Sequence, residues 1–101
     1  MSLSYTKNVE ILGKPQVARQ IGVTSTASST ALSDGVFRIS MYAKSGDIRF
    51  DIGQGTQYAN QTCHFIAEGE RLDFAVNSGD QIGVVAATGT TSAVLEVTEL
   101  G

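Results

Sequence analysis

The chain has 101 residues, enough for one domain with a single core but too few for a second domain or a deep enclosed pocket. Its formal net charge is -3, with seven Lys and Arg residues that are scattered singly along the chain. A nucleic-acid partner is therefore not expected, because phosphate binding requires clustered cations.

The charged fraction of 17% is low, and serine and threonine make up roughly a fifth of the chain. A surface of hydroxyls and glycine loses little solvation when it is covered, which favours a protein that packs into an assembly. Residues 1–12 lack the apolar stretch of a signal peptide, and no run is long enough to span a bilayer. We therefore expect synthesis in the cytoplasm and no membrane partner, and the only cysteine, Cys63, excludes an internal disulfide.

Apolar and polar residues alternate with a period of two along much of the chain, in runs that end at glycine-bearing turns. This pattern predicts half-buried β-strands. The first strands are predicted at residues 8–12 and 16–23, separated by Gly13-Lys14-Pro15 and preceded by an N-terminal arm at residues 1–7. Residues 24–33 fit either a polar edge strand or a loop.

A β-hairpin is predicted over residues 36–52, with a two-residue loop at Ser45-Gly46. Its buried face would contain three cross-strand pairs: Ala43 with Ile48, Met41 with Phe50, and Ile39 with Ile52. Its outer face would contain two further contacts: Tyr42 opposite Arg49, and Arg38 diagonal to Asp51.

A second hairpin is predicted around Glu68-Gly69, after a loop at residues 53–60. Its buried pairs would be Phe65 with Leu72 and Cys63 with Phe74. Its outer pairs would be His64 with Asp73 and Ile66 with Arg71. Residues 77–80 then fit either a longer, bulged loop or a connection between two different sheets.

Two more strands, at residues 82–86 and 93–97, complete the pattern. The fold predicted is all-β, an antiparallel β-sandwich of jelly-roll type with seven to eight short strands and no significant helix, in a single domain of residues 1–101. Seven side chains are expected to form one contiguous core: Phe37, Ile39, Met41, Phe50, Phe65, Leu72 and Phe74.

The candidate residues for catalysis do not form a recognisable site. Cys63 and His64 are adjacent on a predicted strand and would point to opposite faces, so they cannot act as a nucleophile and its base. Cys63 is expected in the core, and His64 with Asp73 on the surface. Asp34 and Asp80 are isolated, so no metal site is expected. We expect no enzyme activity and no cofactor.

The second half of the chain resembles a widespread group of short proteins from tailed bacteriophages. The resemblance rests on the runs VFRISMYA, IRFDIG, ANQTCHFIAEGERLDFAV, QIGVVAA and TSAVLEVTEL, and covers roughly residues 35–100. It implies a small virion structural protein that decorates or cements the capsid surface. Its expected partners are the major capsid protein and copies of itself, as a small oligomer such as a trimer.

The contact residues expected for such an assembly are those with large apolar or aromatic side chains outside the predicted core. They are Tyr5, Tyr42, Tyr58 and Ile66. The alternative is a carbohydrate-binding or receptor-binding β-sandwich module associated with a tail or fibre. The chain has no tryptophan, so Tyr42 beside Arg49 would be its sugar-stacking platform.

Overall fold

The computed structural model describes residues 14–101. The predicted arm at residues 1–7, the predicted strand at residues 8–12 and Tyr5 lie outside the described residues. In the described part of the chain, no helix is long and apolar enough to cross a membrane.

The described residues form eight β-strands in two antiparallel sheets of four strands each. The strands are β1 (Pro15–Thr24), β2 (Ser28–Ala31), β3 (Arg38–Lys44), β4 (Ile48–Gln54), β5 (His64–Ile66), β6 (Arg71–Ala75), β7 (Asp80–Ala86) and β8 (Ser92–Leu100). The first sheet has the order β1-β8-β3-β6 and the second β2-β7-β4-β5. The predicted all-β, antiparallel sandwich is confirmed.

Among the eight strands of residues 14–101, most that follow each other in the chain lie in different sheets, and only β4 and β5 pair directly with each other as sequence neighbours. The two predicted hairpins are therefore wrong. Ser45-Gly46 joins β3 of the first sheet to β4 of the second. Glu68-Gly69 joins β5 of the second sheet to β6 of the first. A tight glycine turn serves equally well for a hairpin and for a connection that crosses between layers, so turn chemistry alone did not identify the partner strand.

Two open alternatives of the sequence are settled by this topology. Residues 24–33 contain the edge strand β2, which pairs with β7. Residues 77–80 connect β6 of the first sheet to β7 of the second, so the two strands belong to different sheets. Asp80 stabilises that connection, because its carboxylate accepts hydrogen bonds from the Asn77 amide (2.8 Å) and from the Gln54 side chain.

The core lies between the two sheets and contains Ile39, Met41 and Phe50, as predicted, with Leu72 partly buried against it. Three phenylalanines of the predicted core are instead exposed: Phe37 (57%), Phe65 (42%) and Phe74 (36%). The prediction placed Phe65 on the inner face of β5, but it lies on the outer face and Ile66 is buried instead. Phe37 and Phe74 lie at or beside the edge strand β6, where the sandwich is open and an inward direction does not ensure burial.

A buried ion pair closes the opposite side of the sandwich. Glu99 of β8 is 0% exposed, and its Oε2 accepts hydrogen bonds from Arg19 Nε (2.9 Å) and from the Ser33 amide (3.0 Å). Burial raises the pKa of Glu99, but the Ser33 amide, the Ser33 hydroxyl and the Arg19 guanidinium together more than offset it and hold that pKa below its ordinary 4.5. The pair thus links β1, β8 and the segment after β2.

Candidate interaction surfaces

The connection between β4 and β5, residues 55–63, crosses the outer face of the second sheet, and we call it the strap. Its middle is fixed by the Gln57 amide, which donates to Ser29 Oγ of β2 (3.0 Å). Its far end is fixed by Gln61, whose Nε2 donates to the Ala86 carbonyl (2.9 Å) and whose Oε1 accepts from the Thr88 amide (3.0 Å). The strap is therefore a fixed surface element rather than a loose loop.

Close packing of the strap depends on Gly83 in β7. A Cβ atom added at Gly83 would lie 2.6 Å from Gln57 Cβ and 2.9 Å from the Gln57 carbonyl oxygen, closer than real side chains approach. Val85, two residues further on the same outer face, is buried, and so is Ala59 of the strap. The sequence contained one signal for this cover, because Gly83 interrupts an otherwise apolar strand.

Tyr58 lies on the strap with 77% of its surface exposed, the largest exposed fraction among the exposed large apolar side chains of the described residues. The hydrogen bonds of Gln57 and Gln61 hold the backbone on either side of it. A rigid, exposed tyrosine supplies contact area at little cost in conformational entropy. Of the three predicted contact residues within residues 14–101, Tyr58 is the one that the structure places at the exposed surface.

Tyr42 is in a different environment from that predicted. Its cross-strand neighbour is Arg71 of β6, whose guanidinium carbon lies 5.2 Å from the centre of the Tyr42 ring. Arg49 belongs to the other sheet, where its guanidinium covers the Phe65 ring at 4.7 Å. The predicted Tyr42–Arg49 contact is therefore wrong, and so is the sugar platform built on it. The predicted Arg38–Asp51 contact fails for the same reason, since those residues also lie in different sheets.

Ile66 is fully buried, and its predicted outward position is wrong. Ile66 is paired with Ile48 of the neighbouring strand β4. Phe65, the residue before it in β5, points to the outer face. The hydropathy of the segment favoured the opposite orientation of the strand, because that orientation would bury Phe65. The Arg49 guanidinium over the Phe65 ring partly shields that ring from water, which reduces the cost of the observed arrangement.

Cys63 and His64 contact different neighbours. Cys63 lies at the end of the strap, is only partly buried, and its Sγ accepts a hydrogen bond from the Asn60 amide at 3.4 Å, so the prediction of a core cysteine is wrong. The His64 ring lies 5.5 Å from the Phe50 ring. The predicted His64–Asp73 pair is also wrong, because β5 and β6 belong to different sheets.

A groove of about 270 Å³ opens between β4 and β6, beside the short strand β5. Its apolar wall contains Phe50 and Phe74, whose ring centres lie 5.6 Å apart. Its polar lining includes His64, Asp51 and the turn before β7. Asp80 within that turn already accepts two hydrogen bonds from this chain, so Asp51 and His64 supply the freer polar groups.

Comparison with known proteins identifies the fold alone. No protein family and no curated protein matches the chain. A de novo designed double-stranded β-helix matches with a TM-score of 0.57 and 18% identity, covering 83% of this chain and 99% of that one. CoII HppE in complex with Tris buffer (TM-score 0.55, 17% identity) and hydroxypropylphosphonic acid epoxidase from S. wedmorenis with fosfomycin (0.55, 17%) also match, each over 83% of this chain.

This chain spans less than half of the two epoxidase chains, 45% and 43% of their lengths. A related solved structure holds FeII. The present chain has a single histidine. Among residues 14–101, no three His, Cys, Asp or Glu side chains lie close enough together to hold a metal ion. The described residues therefore do not fit a metal centre. The likeness to these structures is limited to the arrangement of strands.

Proposed function

We propose that this chain is a non-enzymatic structural subunit that binds to the surface of a bacteriophage capsid and stabilises the shell by bridging neighbouring major capsid proteins. The observation that carries the proposal is a set of exposed aromatic side chains on a small sandwich. Tyr58 stands on a fixed strap, and Phe37, Phe65 and Phe74 lie at the β5–β6 side. Aromatic side chains are enriched in protein interfaces.

The sequence supports the same proposal. A low charged fraction of 17% reduces the desolvation cost of covering the surface, and the second half resembles short tailed-phage proteins. A subunit that binds only the assembled shell stabilises it by mass action, and a small symmetric oligomer presents the same contact more than once.

The proposal is tested by deleting the gene and measuring the thermal stability of the particles. Particles without the protein are expected to release their genome at a lower temperature than complete particles, and purified protein added back should restore the original temperature. Absence of the protein from purified particles, or unchanged release after deletion, would contradict the proposal.

A residue-level test uses Tyr58. Tyr58→Ala should weaken binding to protein-free particles by roughly tenfold or more, since aromatic interface residues carry a large share of binding energy. Val17→Ala is the matched control, because Val17 is also exposed but lies on β1 and not on the strap. Equal binding of the two variants would remove Tyr58 from the contact.

The second candidate function is glycan binding, and the groove beside β5 is the observation that favours it. An exposed aromatic ring next to carboxylate and imidazole groups suits the apolar face and the hydroxyls of a sugar. Titration with a panel of neutral and acidic monosaccharides, followed by NMR of His64 and Phe74, tests this candidate. Saturable shifts confined to the groove would favour it over capsid binding, and unchanged spectra would dismiss it.

A further inference from the structure

The four outer edges of the two sheets differ in how they are protected against further strand pairing. β1 begins with Pro15 and has an irregular register between Pro15 and Ala18. β2 and β5 are short, with four and three residues. β6 has five residues and pairs with β3 in an unbroken register. Irregularity, proline, shortness and charged side chains are the usual protections of an edge. β6 has only the charges of Arg71 and Asp73, which oppose a second strand only in registers that place like charges opposite each other.

Among residues 14–101, no strand pairs with the outer edge of β6, so main-chain groups are open there. The two even-numbered residues that flank β6 bond towards β3. Glu70 O accepts from Ala43 N of β3 (3.1 Å), and Val76 N donates to the carbonyl of Phe37, the residue before β3 (2.8 Å). Main-chain groups alternate in direction along an antiparallel strand. Arg71, Asp73 and Ala75 therefore direct their N–H and C=O groups away from β3, towards the free edge.

We propose that β6 pairs antiparallel with β6 of a second copy of this chain, so that the first sheets of the two copies form one continuous sheet across a two-fold axis. This inference rests on the self-association included in the proposed function, and it names the contact. It does not depend on the capsid as the site of assembly.

The side chains of β6 select one register for this pairing. With the axis at Leu72, Arg71 lies opposite Asp73 of the second copy, and Asp73 opposite its Arg71. With the axis at Asp73 or at Arg71, like charges lie opposite each other, which destabilises a sheet. All three registers place the outward main-chain groups in direct hydrogen-bonding pairs, and only the Leu72-centred register also places Arg71 and Asp73 in opposite-sign pairs.

Apolar contacts agree with this register. Leu72 is partly buried in one copy and would meet its own symmetry mate at the axis. Phe74, which is exposed in the single chain, lies two residues further along the same inward face, where it would lie opposite Glu70 of the second copy and be partly covered by its side chain. The inferred pairing thus buries apolar surface that the chain leaves open to water.

The test uses two charge-reversed variants, Arg71→Asp and Asp73→Arg, with self-association measured by sedimentation equilibrium. The unaltered chain should form a dimer. Each variant alone places like charges opposite each other and should associate roughly 10- to 100-fold more weakly. A mixture of the two variants should recover association as a heterodimer, because every facing pair then has opposite signs.

Glu96→Arg is the matched control, since Glu96 lies on β8 of the same sheet, away from the free edge, and its variant should remain a dimer. A monomeric unaltered chain, unweakened single variants, or a mixture that fails to associate would each overturn the inference. Arg71 also donates to Ser40 Oγ (2.9 Å), so circular dichroism must show folded variants.

If the variants do not fold, hydrogen exchange on the unaltered chain decides the question. The Arg71, Asp73 and Ala75 amides should exchange more slowly as protein concentration rises, and rates independent of concentration would overturn the inference. A dimer that is absent from particles would contradict the capsid proposal alone, whereas a monomer bound to particles would contradict the pairing alone.

Discussion

The two sides of this sandwich are closed in different ways. On the β1–β2 side, Oε2 of the buried Glu99 carboxylate joins Arg19 to the segment after β2, while its Oε1 has no hydrogen-bond partner within residues 14–101. On the β5–β6 side, Phe50 and Phe74 meet across an open groove, and exposed phenylalanines lie at or beside both edge strands. One side is closed by a polar contact within a single chain, while the other retains apolar surface that a partner would cover.

The largest expected loss of stability follows removal of the Phe50 ring, which lies at the open side. Phe50→Ala should lower the free energy of unfolding by about 3 to 5 kcal/mol, because Phe50 is almost fully buried and its removal takes a large apolar ring out of the core. The matched variant Phe65→Ala should cost less than about 1 kcal/mol, since that ring is exposed on the outer face. Urea denaturation of both variants checks this. Equal losses would show that the open side has no distinct inner layer.

The next effect concerns the closed side and depends on pH. Because folding lowers the pKa of Glu99, its carboxylate contributes stability above the ordinary value of 4.5, and that stability is lost as pH falls through the folded pKa. Glu99→Gln should be less stable than the unaltered chain at pH 7 by about 1 to 3 kcal/mol. The gap should narrow as pH falls below 4.5. Denaturation midpoints at pH 7 and pH 3 measure it, and a gap independent of pH would mean that Glu99 is not held as a carboxylate.

A smaller effect is expected at the strap. Gly83→Ala should reduce stability by about 1 to 3 kcal/mol, because the added methyl group collides with the Gln57 backbone. Gly22→Ala is the matched control on β1, where an added Cβ meets no atom within 4 Å and stability should change little. Thermal unfolding compares them. If Gly83→Ala were as stable as Gly22→Ala, the strap would not pack tightly on the second sheet.

The sequence predicted which strands exist and, for most of them, which residues face the core. Alternation placed Ile39, Met41 and Phe50 inside, and they are inside. Partner strands were not predictable from the turns, because β3 pairs with β6 and β8, which are distant in sequence. Charged residues at inward positions of β1 and β8, Arg19 and Glu99, were a signal for the buried ion pair.

The candidate surfaces were less predictable than the fold. Tyr58 was identified because it fell in a loop, and its exposure follows from that position. The exposed phenylalanines were assigned to the core because apolar residues at inward positions are usually buried. Their exposure depends on which strands form the open edge, and this is a property of the whole topology that local sequence does not encode.

Hydroxyl-radical footprinting of the free chain and of the chain bound to purified particles tests the central claim most directly. The account predicts that binding reduces oxidation of the exposed aromatic residues Phe37, Tyr58, Phe65 and Phe74, while Val17 on β1 stays as reactive as in the free chain. Unchanged oxidation of all four aromatic residues, or protection of Val17 instead of them, would contradict the account.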